Sequence, residues 1–114
     1  MDEYRIRVTR QAREHLREIR NYIAHVLVSP IAAKNTIAAI KAEIQSLKNL
    51  PKRTHLTPEQ PWHDLQVHRV RVKNYYIYYW IGEEQKTVQI TGVIYVKRAQ
   101  SRQLEALEAK HATE

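Results

Sequence analysis

Arg69, Arg71 and Lys73 recur at alternate positions before Asn74, and Lys97 and Arg98 follow a later apolar run. If the strands that carry them are neighbours, the five cations meet on one sheet face. Such a face binds phosphates with an affinity that falls steeply with salt. The same face could equally be a solvated surface or a seat for an acidic protein segment. His68, beside Arg69, has the intrinsic pKa of a general base near neutrality. Tyr76, Tyr78 and Trp80 alternate with Tyr75 and Tyr79, so one set faces a core and the other is an aromatic face. That face could stack on bases, at about 1–3 kcal/mol per base, or pack beneath a loop or a bound partner. His55, His63 and His68 gather near Asp64, but His63 and His68 straddle a loop-to-strand boundary at no standard zinc spacing. The reading is therefore no metal and no cofactor. Trp62, in a polar stretch, is either a partner anchor or a lid over the core.

The elements that position these residues follow from periodicity. Residues 3–9 alternate, with Tyr4, Ile6 and Val8 on one side and Arg5 and Arg7 on the other, as in a half-buried strand. Thr9 is a candidate helix cap. Ala12, Leu16, Ile19, Ile23 and Val26 then recur at helical spacing to about residue 27. Ser29-Pro30 reads as a second cap followed by a proline in the first turn. Ala33, Ile37, Ile40, Ile44 and Leu47 carry a second helix to about residue 50, where Pro51 stops it. So short a link predicts an antiparallel hairpin. Residues 51–64 read as a surface loop and 65–72 as a strand. Asn74 marks a turn, residues 75–80 and 87–96 are further strands, and residues 98–110 form a Leu-, Ala- and Glu-rich helix. The fold class is α+β: an N-terminal strand, an antiparallel helical hairpin, and a three-stranded antiparallel meander completing one sheet packed on one face by the helices, followed by a short C-terminal helix.

With 114 residues, the chain is expected to form a single domain, with residues 1–98 as core and 99–114 as C-terminal helix and tail. The absence of cysteine excludes disulfides, thiolate metal sites and cysteine nucleophiles, and fits a cytoplasmic location. No apolar run reaches the roughly 18 residues of a membrane span, so no membrane partner is expected. Nineteen Lys and Arg against twelve Asp and Glu give a formal charge of +7, which favours an anionic partner.

The order and spacing of Tyr4-Arg5-Ile6-Arg7-Val8-Thr9, residues 16–23, Ser46-Leu47-Lys48-Asn49-Leu50-Pro51, Val72-Lys73-Asn74-Tyr75-Tyr76 and Val93-Ile94-Tyr95-Val96-Lys97-Arg98 resemble the RelE/ParE superfamily. That resemblance implies a growth-arresting toxin of a bacterial type II toxin–antitoxin system, held in a hetero-oligomer with its cognate antitoxin. RelE-like members cut messenger RNA on the ribosome, whereas ParE-like members inhibit DNA gyrase. Cleavage through the RNA's own 2′-hydroxyl needs a base, an acid and cations around the phosphate. By resemblance, Arg69 matches a RelE strand lysine and Arg98 the arginine after its last strand, with His68 as a possible base. Tyr76 and Leu104, however, stand where RelE carries an arginine and its C-terminal tyrosine. The long hairpin and alanine-rich second helix look more like the ParE branch. Gyrase is thus the expected target, and ribosome-dependent RNA cleavage or a member that only binds antitoxin the alternatives. Arg69, Arg71 and Arg98 are expected to contribute most to target contact.

Overall fold

The computed structural model describes residues 3–98; the expected C-terminal helix lies outside them. The first strand, β1 (Arg5–Val8), leads into α1 (Arg10–Asn21), whose first turn is capped by Thr9: its hydroxyl accepts the Ala12 N–H at 3.1 Å. Beyond Asn21 the helix does not continue unchanged to residue 27. It widens into a π turn over Tyr22–Val26, with the Leu27 N–H reaching back five residues to the Tyr22 carbonyl at 3.1 Å. Val28 then adopts a left-handed backbone (φ 51°), a conformation that crowds a β-branched side chain. This reverses the chain into α2 (Pro30–Ser46). Ser29 caps α2 only through its backbone carbonyl, which accepts the Ala33 N–H at 3.0 Å; the hydroxyl makes no cap bond. The second helix stops at Ser46, earlier than its apolar stripe suggested. Leu47, Lys48 and Asn49 turn back to carbonyls three residues earlier, and Leu50 goes left-handed (φ 52°) before Pro51, which ends the helix.

Three strands follow: β2 (His68–Val72), β3 (Tyr75–Gly82) and β4 (Thr87–Tyr95), each pair antiparallel. The expected strand over residues 65–72 is shorter than predicted. Gln66 is left-handed (φ 64°), and the Val67 N–H turns back to the Trp62 carbonyl at 3.0 Å, so pairing with β3 starts only at His68. The sheet order is β1-β4-β3-β2, with β1 parallel to β4 through Ile6 opposite Val88 and Val8 opposite Ile90. The fold is α+β, with the hairpin packed on one sheet face.

The core lies between them. Ala12 of α1 and Ile40, Ile44 and Leu47 at α2 meet Ile77, Tyr79, Val88, Ile90 and Val93 of the sheet. Ile90 and Val93 share that face despite their odd separation because the register slips by one residue. Tyr78 is opposite Gly92 but Tyr79 is opposite Ile90, leaving Thr91 as the extra residue. Its hydroxyl donates to the Tyr78 carbonyl at 3.2 Å. A smaller cluster of Trp62, Val67 and Tyr78 occupies the opposite, outer face, beneath the loop of residues 54–67.

Candidate target-contact surface

On the outer face, Arg69 stands opposite Tyr78 and Arg71 opposite Tyr76. The Arg69 guanidinium lies 4.1 Å from the centroid of the Tyr76 ring and 3.5 Å from the Glu59 carboxylate, so it is clamped between an aromatic face and an anion. Glu59 carried no signal in the sequence, because the pairing depends on how the 54–67 loop folds back. Arg71 is exposed and donates from Nε to the Lys73 carbonyl at 2.9 Å, bracing a turn in which Lys73 is left-handed (φ 53°) and exposed.

The aromatic face is not an open stacking platform. Tyr78 is buried under Trp62, itself only 4% exposed, and burial pushes the Tyr78 hydroxyl up to about 12 although Arg69 opposes the shift. Tyr76 packs edge-on against Tyr78 and carries Arg69 over its ring. Trp80, opposite Gln89, keeps partial exposure. Of the two roles open to Trp62, the structure shows the lid.

His68 and Arg98 sit elsewhere. The His68 ring stacks on Tyr79, centroids 5.3 Å apart, on the helix side of the sheet, and its Nδ1 lies 3.2 Å from the Thr54 carbonyl, to which it donates. Arg98 follows β4 in a short 3-10 turn with exposed Lys97 and borders a groove of about 780 Å³ lined by Tyr22, Ile23, Leu27, Tyr75 and Val93. Arg98 borders the groove at Tyr75, whereas His68 pairs with Tyr79, four positions further along β3 and so roughly 13 Å away along the strand. The five cations therefore do not share one face. Arg69 and Arg71 point to the outer side, Lys73 caps the β2–β3 turn, and Arg98 opens onto the helix-side groove. Next to that groove the hairpin tip exposes Tyr22, Val26, Leu27, Val28 and Ile31, the last two by 78% and 76%. His63 Nδ1 lies 3.2 Å from the Thr57 carbonyl and Asp64 is bound by Gln60; among the described residues no three ligand-type side chains cluster.

Burial disfavours the charged form of two histidines. His15 Nδ1 accepts the Val93 N–H at 3.1 Å, and burial lowers its pKa, with Glu18 partly opposing. Burial lowers that of His68 as well, partly offset by its bond to Thr54. The unfolded chain therefore takes up protons at a higher pH than the folded one, and stability falls as pH drops below about 6.5. A lower urea midpoint at pH 5.5 than at 7.5 is expected. His15→Asn, which keeps an acceptor near Nδ1 but cannot titrate, should narrow the gap; an unchanged gap would remove His15 from this account.

The fold has counterparts among known proteins. The family described as the ParE toxin of type II toxin–antitoxin systems, parDE, matches residues 6–100. No curated protein sequence matches significantly. Among solved structures, the chromosomal ParDE system of P. aeruginosa superposes with a TM-score of 0.68 at 18% identity, covering 82% of this chain and 97% of that one. The RelBE2 toxin–antitoxin complex of Mycobacterium tuberculosis gives 0.60 at 23% identity, over 88% and 97%. A free-state mutant of E. coli RelE gives 0.59 at 11% identity, over 85% and 87%.

Proposed function

The chain belongs to the ParE toxin family of type II toxin–antitoxin systems, and from that premise we propose that it arrests growth by binding DNA gyrase rather than by cutting RNA. The observation that carries this reading is the dispersal of the nuclease candidates. Arg69 is clamped on the outer face, His68 is stacked against Tyr79 on the helix side, and Arg98 lies at the far end of the sheet. An acid–base pair around one phosphate needs its groups within hydrogen-bond reach of a common centre. A binding inhibitor has no such requirement. Arg71, Lys73, Lys97 and Arg98, all exposed, are the contact residues in this reading, with Arg69 bracing the outer face. Of the aromatic side chains on the outer face, Tyr76 and Trp80 keep partial exposure.

The partner that silences the toxin is an antitoxin whose apolar side chains cover the hairpin tip and groove, forming a hetero-oligomer. Exposed apolar surface of this kind marks an interaction site. Among the described residues no helix is long and apolar enough to cross a membrane.

Two parallel reactions with purified full-length chain, stripped of antitoxin, test the proposal. Inhibition of gyrase supercoiling, with messenger left intact in a reconstituted translation system, is expected. Arg71→Glu and Arg98→Glu should each weaken that inhibition. New messenger 5′ ends in the ribosomal decoding site, with gyrase unaffected, would overturn the proposal in favour of the nuclease. Activity in neither reaction would leave only antitoxin binding.

A further inference from the structure

Arg10, Arg13, Arg17 and Arg20 recur along α1 at intervals of three and four residues, and all four are exposed. At 100° per residue they fall within about 80° of the helix circumference and span about 15 Å of its length. The stripe continues past the helix start, because Arg7 of β1 shares a surface hollow of about 720 Å³ with Arg10 and Arg13, along one side of which lie Glu14 and Glu18. This surface is separate from the cations around β2 and β3.

The stripe is poorly neutralised. Arg17 donates to Glu14 at 2.7 Å and Arg13 donates to the Val8 carbonyl at 2.6 Å. Among the described residues Arg7, Arg10 and Arg20 pair with no carboxylate. Ordinary solvated helix faces intersperse both signs. Here Arg10–Arg13, Arg13–Arg17 and Arg17–Arg20 are like-charge neighbours, which disfavours a helix, and Glu14 and Glu18 flank them on one side only. The first turn carries Arg10 and Arg13 and no acidic residue, against the helix dipole. The free protein thus keeps an arrangement that weakens its own first helix, and a polyanion lying along the stripe would reverse both penalties.

We propose that the arginine stripe of α1, with Arg7, grips the phosphate backbone of a double-stranded nucleic acid, duplex DNA being the committed partner. Guanidinium groups engage phosphates in two-pronged fashion. Fifteen ångströms of one DNA strand present about four to five phosphates, comparable to the charges on offer. The stripe contains no aromatic side chain on which an unpaired base could stack, so it fits a backbone whose bases are already paired and stacked, rather than a single strand. The contact carries no sequence information, because it reads phosphates alone.

The test uses full-length chain without gyrase, so its outcome is independent of the gyrase reading. Fluorescence anisotropy with a labelled 30-base-pair DNA duplex is followed between 50 and 200 mM salt. The wild-type chain is compared with Arg10→Gln/Arg20→Gln, and with Arg71→Gln/Lys73→Gln as a control on the other basic surface. Both arginines of the first pair are exposed and glutamine is a good helix former, so the fold is retained and circular dichroism checks it. The expected result is a duplex affinity at least about tenfold lower in the α1 pair, with its log–log salt slope shallower by about 2, and a smaller change in the control. No duplex binding by wild type, equal losses in the two pairs, or equally tight binding of the matching single strand would each overturn the proposal.

Discussion

Replacing Trp62 with alanine should destabilise the chain by about 3–5 kcal/mol, the range for removing a large buried aromatic side chain. Trp62 is the centre of the outer-face cluster, against Val67 and Tyr78. Most backbone bonds of the loop it belongs to are internal, and the contact with β2 is short. The Thr57 N–H reaches the Val67 carbonyl at 2.7 Å, and the Arg69 N–H reaches the His55 carbonyl at 3.1 Å. Without the indole, Tyr78 and Val67 gain solvent on the side the loop had closed, and Glu59 loses the loop geometry that holds it near Arg69. The urea midpoint, followed by the fluorescence of the remaining Trp80, should therefore fall sharply. The Tyr78 hydroxyl, held up at about 12 by burial, should also titrate closer to the ordinary value of about 10. A loss below about 1 kcal/mol would mean that the loop is a loose cover rather than a second core.

Tyr79 supports the opposite face, and its two halves can be separated. Its fully buried ring packs in the main core and under His68. Its hydroxyl donates to the Pro51 carbonyl at 2.7 Å and also contacts the Thr54 hydroxyl. Tyr79→Ala should cost about 3–5 kcal/mol by cavity formation. Tyr79→Phe keeps the ring but leaves the Pro51 carbonyl without its donor, a loss of about 1–3 kcal/mol. It should also loosen residues 51–54, which connect α2 to the outer loop, and so raise hydrogen exchange at the Arg53 amide. Equal stability of Tyr79→Phe and wild type in equilibrium unfolding would show that the hydroxyl is a passenger.

Most of the architecture could be read from side-chain spacing, because both helices carry an apolar stripe and the strands alternate about a common core face, although β3 and β4 are in fact buried on both faces. What escaped were features that depend on contacts between distant segments. The one-residue slip at Thr91 is invisible to alternation, since Ile90 and Val93 fall out of phase in an ideal strand. The π turn at Tyr22–Val26 keeps the apolar spacing of an ordinary helix, so nothing in that stretch announced it. The layout of the basic residues escapes the sequence for a related reason. Sequence parity places Arg69 and Arg71 on one face, but Arg98 lies in a 3-10 turn, whose direction no period determines. Alternation sets Tyr78 on the face away from Tyr79, and only the folded loop shows that this side is roofed by Trp62. The arginines of α1 were legible as letters; their significance emerged with the helix that aligns them.

The parallel pairing of β1 with β4 sets a schedule for synthesis. Arg5 pairs with Thr87, so the edge of the sheet cannot form until nearly the whole chain exists. At translation rates of about 5–20 residues per second, the second strand of that pair follows the first by roughly 4–16 s. During that interval the helical hairpin, whose contacts are local, can already assemble and offer its apolar stripe. A protein that captures the nascent hairpin would therefore meet the toxin before its sheet is closed, and neutralisation would precede activity on each newly made copy.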